Sequence, residues 1–244
     1  VGSPYVDYEE HAHRYHVHRA LAPEALDAWG EFVRPHAMPG GRVVDCGAGT
    51  CLFGAACRSW GAADVIAADA SREMLAAADP TIGVHRVQGR ATALPVADAG
   101  IDIVWVSAAV HHFPSLDESF AEFKRVLRPD GVVIIREYVP GHTPLPWLEL
   151  FPGNDKSKAR YPSIESITAA LEGAGLRIER EELIVESVHA LHQRAEFVRR
   201  MRHADTLLTA LTDAEIDAGL AALDDRADEI DEFALTGIVA RALG

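Results

Sequence analysis

The stretch Arg42–Cys57, RVVDCGAGTCLFGAAC, leads an apolar run ending in Asp45 through two closely spaced glycines, Gly47 and Gly49, into a helix of small residues. A buried strand that turns into a helix in this way points backbone N–H groups and the positive helix end at whatever lies above the strand ends. The turn is therefore a binding element. Its phosphate-holding versions fail on the residues present. A dinucleotide fingerprint, G-x-G-x-x-G, needs glycine where Leu52 stands. A phosphate loop, G-x-x-x-x-G-K-S/T, is matched by Gly49 and Gly54, but Ala55 and Ala56 replace the lysine and the hydroxyl.

Outward from this turn, short apolar runs alternate with helix-period segments, the pattern of a parallel sheet with helices on both faces. Strands are expected at RVVDCG, ADVIAAD, VHRVQG, IDIVWVSAA and GVVIIREYV, with helices near 51–60, 72–79 and 115–127 and a short turn near 91–95. Ser115 and Glu118 have capping-box spacing, and Leu116, Phe120, Phe123 and Leu127 recur at helical period. A Pro-rich connection, PGHTPLPW, precedes another helix in YPSIESITAALEGAG. Two long runs, RIEREELIVESV and EFALTGIVARAL, flank a helical stretch at about 190–230 and predict an antiparallel addition at the sheet edge.

At 244 residues and 48% hydrophobic content the chain is long enough for one well-buried α/β domain. Its net charge of −14, without a basic cluster, argues against a nucleic-acid partner. Cys46, Cys51 and Cys57 form no C-x-x-C pair and suggest neither a disulfide framework nor a zinc site, which fits a reduced, cytoplasmic setting. The opening VGSPYVDYEE lacks a signal-peptide pattern, and the longest apolar run, IVWVSAAV, is too short to span a membrane.

Asp69 closes the second strand, where a carboxylate can accept hydrogen bonds from both hydroxyls of a ribose. Capping of the following helices is the alternative role for Asp45 and Asp69. Taken in order, VVDCGAGT, VIAADASREML, GRATALPVADAGIDIVWVSAAVHHF and FKRVLRPDGVVIIREYV resemble the successive motifs of the class I S-adenosylmethionine-dependent methyltransferases. The similarity is greatest to the small-molecule group, whose first motif reads L-D-x-G-C-G-T-G, and it covers residues 42–140. It implies a Rossmann-like, doubly wound α/β fold with a mainly parallel seven-stranded sheet and an antiparallel edge strand. An N-terminal helical lid at 1–38 would precede a methyltransferase domain at 39–244 carrying the helical insertion.

The resemblance also implies S-adenosyl-L-methionine as cofactor. Asp45, Gly47, Ala48 and Gly49 would line its methionine part, Asp69 with Ala70 beside it would hold the ribose, and Met74 would pack near the adenine. Many relatives carry Asp at Arg90, so here the backbone of Arg90 and Ala91 would meet the adenine amino group; Ser107 would touch the methionine end. Tyr15 and Arg19 resemble the N-terminal cover of related enzymes, whose Arg pairs with the cofactor carboxylate, a group that suits a guanidinium fork; an ordinary surface Arg is the alternative.

His11, His13, His16 and His18 invite a metal hypothesis, but on a helix they scatter and no H-E-x-x-H arrangement joins them, so no metal is expected. His111 and His112 follow the fourth strand, beside the expected place of the transferable methyl, where a neutral imidazole can take a proton from the acceptor or simply line the pocket. Glu137, Tyr138, His142, Trp147, Arg160 and Tyr161 are expected to wall the acceptor pocket. The expected activity is methyl transfer to an O, N or C nucleophile of a small molecule, by a monomer or homodimer. The alternative is a protein that binds the cofactor without transferring methyl. Arsenic or metal methylation would need a cooperating thiol set, and the three cysteines belong to the cofactor side.

Overall fold

The computed structural model describes residues 21–37 and 40–243. Its strands are β1 (Arg42–Cys46), β2 (Asp64–Asp69), β3 (His85–Gln88), β4 (Ile101–Ser107), β5 (Leu127–Glu137), β6 (Leu176–Ala190) and β7 (Ile230–Ala242). They form one seven-stranded sheet in the order β3-β2-β1-β4-β5-β7-β6. Strands β1 to β5 are mutually parallel. The expected antiparallel addition is β7, which runs against both β5 and the outermost strand β6. Strand order reverses between β1 and β4, so a crevice opens above the carboxyl ends of these two strands.

Period-two alternation divides the core between the two faces of the sheet. On one face Ile103, Trp105 and Ile134 pack with Trp29, Phe32 and Val33 of α1 (Pro23–Val33) and with Phe53 and Ala56 of α2 (Leu52–Ser59). On the other, Val104, Val106 and Ile135 pack with Phe120 and Phe123 of α4 (Leu116–Val126) and Ile167 of α6 (Ile164–Gly173). The helix α3 (Arg72–Ala76) follows β2. Thus α1, inside the segment expected as a lid, is a core helix, with Trp29 fully buried.

Ser115 caps α4 by accepting from the Glu118 N–H at 3.2 Å. Only this half of the expected capping box forms, because the exposed Glu118 side chain does not return to the cap. Both halves occur instead at Thr212 and Glu215, which open α8 (Asp213–Asp225).

The helical stretch expected near 190–230 is two helices, α7 (Leu191–Met201) and α8. A short helix not expected from the sequence, α5 (Asn154–Lys158), precedes α6. Pairing of β5 with β7 ends at Glu137↔Thr236, whereas β6 and β7 stay paired as far as Ala190↔Ile230. This two-stranded ribbon rises past the carboxyl end of the sheet and carries α7 and α8 over the crevice.

Candidate active site

Three residues in left-handed backbone shape the turn after β1: Gly47 at φ 75°, Gly49 at φ 52° and Cys51 at φ 60°. A Cβ at Gly47 would stand 2.5 Å from that of Ala109, so the close approach of the β1 and β4 loops admits only glycine. The N–H groups of Gly47 and Ala48 both donate to Ala68 O, at 2.8 and 3.1 Å. Asp69 clamps the turn from the side, accepting from Gly49 N at 2.7 Å and Ser71 N at 2.8 Å. The cap of α3 is Ser71, whose hydroxyl accepts from Met74 N, rather than Asp69.

Asp45 makes no cap bond to α2 either. Its side chain is buried, and among the described residues Oδ2 has no hydrogen-bond partner. Burial, and then the neighbouring Asp69, push its carboxyl up to about 7. Burial also raises Asp69, against the backbone bonds that it accepts. A buried carboxylate with an oxygen left unpartnered avoids the cost of its charge by keeping its proton, unless a cation meets it.

A cavity of about 1180 Å³ opens above this turn and reaches the insertion. Asp45, Gly47, Ala48, Gly49, Asp69, Ala70 and Met74 line its near end, with Arg90, Ala91 and Ser107. His111, His112, Glu137, Tyr138, Trp147 and Tyr161 line the middle. Two expected wall residues lie outside it. His142 pairs with Glu181 at 3.6 Å on the outer side, its side chain 40% exposed. Arg160 is spent behind the wall, donating to Thr206 O at 3.1 Å and Thr209 Oγ1 at 2.7 Å, which ties down the loop between α7 and α8. Tyr15, Arg19 and the four N-terminal histidines lie outside the described residues.

Glu137, which lines this cavity, is at the same time a partner of His111. It is 1% exposed, and its Oε2 lies 3.1 Å from His111 Nδ1 while accepting from Val110 N at 2.9 Å. Oε1 accepts from Tyr138 N at 3.1 Å. The second ring nitrogen, His111 Nε2, lies 3.3 Å from Thr206 Oγ1. The imidazole packs against the tilted rings of His112 and Tyr161, with centroids 3.9 and 4.2 Å away.

Several site residues escaped the sequence reading. Arg136 bonds Glu186 through Nε and Nη2 and donates to Ser107 Oγ through Nη1. On the insertion, Arg194 lies over the rings of Trp147, Phe197 and Phe233 and is bonded to Asp231. One signal was available: Arg136 and Glu137 interrupt the otherwise apolar run VVIIREYV. Thr206, Asp205 and Arg194 carry no motif and are recruited by the course of the ribbon.

The three cysteines are free and buried. Burial pushes the Cys51 thiol up to about 12 and raises Cys46 and Cys57 as well, so none is a ready nucleophile. Among the described residues no three His, Cys, Asp or Glu side chains gather to hold a metal ion. No described helix is long and apolar enough to cross a membrane.

The residues present fit an S-adenosylmethionine-type ligand: Asp45 Oδ2 is buried with no hydrogen-bond partner among the described residues, and the Asp69 carboxylate, which lines the same cavity, has acceptor sites beyond the two N–H bonds it takes.

Residues 44–135 match the methyltransferase domain family. The chain is 32% identical over 187 residues to a malonyl-(acyl-carrier protein) O-methyltransferase of Enterobacter lignolyticus (strain SCF1), a match spanning 74% of this chain and 71% of that one. Among solved structures, a putative methyltransferase from an antibiotic biosynthesis pathway of Anabaena variabilis superposes with a TM-score of 0.69 at 20% identity, covering 89% of this chain and 99% of the other. The cyclase SpnF superposes with a TM-score of 0.63 at 20% identity over 93% and 85% of the two chains. At such identities the structural likeness speaks for the fold alone.

Proposed function

The chain belongs to the class I S-adenosylmethionine-dependent methyltransferases, and from that premise we propose that the glycine turn holds the cofactor while the His111 end of the cavity receives a small-molecule acceptor. The enzyme is a small-molecule methyltransferase with S-adenosylmethionine as its cofactor. In this reading Asp45, Gly47, Ala48 and Gly49 hold the methionine part, Asp69 and Ala70 the ribose, and Met74, Arg90 and Ala91 the adenine. Arg19, with Tyr15, closes on the cofactor carboxylate; in the division into 1–38 and a domain at 39–244 the lid role falls to the residues before α1, which itself packs in the core.

The bound cofactor supplies a methyl group made electrophilic by its sulfonium. The chain's own residues orient the acceptor against that methyl, keep water out and manage the acceptor's proton. The single observation that carries this reading is the continuity of one cavity from Asp45 and Asp69 to His111, Tyr138 and Tyr161. The buried, reduced cysteines favour a cytoplasmic setting, and monomer or homodimer is the expected state.

Incubating the protein with methyl-labelled S-adenosylmethionine and a panel of phenols, carboxylic acids and amines tests the proposal. Label in a product is expected. The second reading is cofactor binding without methyl transfer, which the glycine turn by itself does not separate from the first. Retention of all label on the cofactor while an acceptor is converted would favour it.

A further inference from the structure

Four arginines stand among the described residues that line the cavity: Arg90, Arg136, Arg194 and Arg200. Arg90 belongs to the cofactor end, after β3. Arg136 is bonded to Glu186, and Arg194 to Asp231. Arg200, in the last turn of α7, is exposed and makes no ion pair, hydrogen bond or ring contact among the described residues.

Its neighbours in sequence are satisfied. Arg199 pairs with Asp224 of α8, and Arg202 with Asp213 at the start of the same helix. Helical period separates these from Arg200. Gln193, Glu196, Phe197 and Arg200 follow at i, i+3, i+4 and i+7 and form the face of α7 turned to the cavity, whereas Arg199 is turned to α8. Two carboxylates share this part of the lining, Glu196 one turn back and Asp205 past the helix end. Neither is paired with Arg200, and Asp205 Oδ1 accepts from Leu207 N at 2.9 Å.

The course of the chain puts this guanidinium at the acceptor end. Phe197, one turn before it, packs edge-on against Trp147 with centroids 6.5 Å apart, and Thr206, just past the helix, lies 3.3 Å from His111 Nε2. Arg200 thus stands on the insertion between an aromatic wall and the middle of the cavity, away from the sheet that carries the glycine turn. A cation in the last helical turn complements the helix dipole, but Arg199 already supplies one there without facing the cavity. A planar fork beside apolar rings suits a ligand that ends in an oxyanion and is apolar behind it.

We infer that Arg200 is a specificity-determining residue, which receives a carboxylate or phosphate at the end of the acceptor away from the reacting atom, while Trp147, Phe197 and Phe233 take up the apolar body. This rests on the methyltransferase reading, in which the cofactor fills the end of the cavity at Asp45 and Asp69. The oxyanion is a handle that orients the acceptor, and the methyl goes elsewhere on it.

The test is calorimetry on the full chain saturated with S-adenosylhomocysteine, using four probes with one apolar body: phenylhexanoate, phenylhexyl phosphate, phenylhexanol and phenylhexylamine. At least one of the two anions should bind about three- to tenfold more tightly than the alcohol, a modest factor because the guanidinium is exposed, and the amine should bind no better than the alcohol. The preference should shrink as salt is raised. Arg200→Gln should bring the anions to the Kd of the alcohol and leave the alcohol unchanged, which also shows that the variant is folded. Arg200→Lys should keep part of the preference, as a point charge without the fork. Arg199→Gln removes the same charge from the same turn on the side of α8 and should leave the preference intact.

Equal affinity for anions and alcohol, a preference that survives Arg200→Gln, or the same loss in Arg199→Gln would overturn the inference and leave the methyltransferase reading standing. Failure of the wild-type chain to bind S-adenosylhomocysteine would overturn both.

Discussion

Arg136 and Glu186 face each other across β7 as a two-pronged ion pair, with Nε 2.6 Å from Oε1 and Nη2 2.5 Å from Oε2, both side chains almost wholly buried. Trp29 Nε1 donates to the same Oε1 at 2.8 Å, and the guanidinium lies over the rings of Trp29 and Phe53. The pair joins the end of β5 to the foot of the projecting ribbon and so fixes the height of the α7–α8 roof above the crevice.

Removing one member strands the other as a buried charge. Arg136→Met or Glu186→Leu should each cost ~3–5 kcal/mol, whereas the double variant, with apolar groups in both places, should cost far less than the sum. Urea unfolding of the three variants measures this. Additive losses would show that the two charges do not depend on one another.

The parts of the fold that repeat a period were legible in the sequence. The strands RVVDCG, ADVIAAD and IDIVWVSAA and the helix after Ser115 lie within a few residues of their expected bounds, because apolar period and turn chemistry act locally. The glycine turn and Asp69 were legible for the same reason. Glu137 was found as a site residue, but its partner was not, since pairing with His111 depends on how β5 lies beside β4. Arg194 and Thr206 reach the cavity only because β6 and β7 overrun the sheet, a property of register that no local pattern encodes. His142 and Arg160 were read from nearness in sequence to Trp147 and Tyr161, and the chain turns them away to Glu181 and Thr206.

Cys51 stands where the turn wants glycine: its φ is 60° and its side chain is fully buried. A left-handed non-glycine residue carries ~1–2 kcal/mol of backbone strain, close to what burying so small a side chain returns. Cys51→Gly should therefore leave stability within ~1 kcal/mol of wild type. Cys57→Gly, at a buried position inside α2, should cost ~2 kcal/mol from lost helix propensity and packing together. Thermal melts compare the two, and an equal drop in Tm would show that Cys51 carries no strain.

Asp69 has a double task, since it clamps Gly49 and Ser71 and is assigned the ribose. Asp69→Asn keeps one oxygen acceptor but removes the charge, and should weaken S-adenosylhomocysteine binding by ~1.5–3 kcal/mol, the range for hydrogen bonds to charged groups. Calorimetry on the variant measures it, with circular dichroism to check the fold. Undiminished affinity would move the ribose away from Asp69.

The buried Asp45 makes cofactor binding a titration. Its carboxyl is held up at about 7, by burial first and Asp69 second. The ligand-free protein thus keeps a proton there that the unfolded chain, with an ordinary value of ~3.9, releases earlier. Through this group, stability should fall as pH rises from about 4 to about 7, because the folded state binds more protons across that window. A ligand ammonium set against Asp45 reverses the preference by stabilising the ionised form. Binding should then release a proton, and affinity for S-adenosylhomocysteine should climb between pH 5.5 and 7, by up to about tenfold per unit, and level off above. Asp69, also raised by burial, faces the same turn. Asp45→Asn should bind more weakly at pH 7.5 and show a shallower dependence. Calorimetry in buffers of different ionisation enthalpy counts the protons directly, and a flat wild-type profile with no proton released would place the ammonium elsewhere.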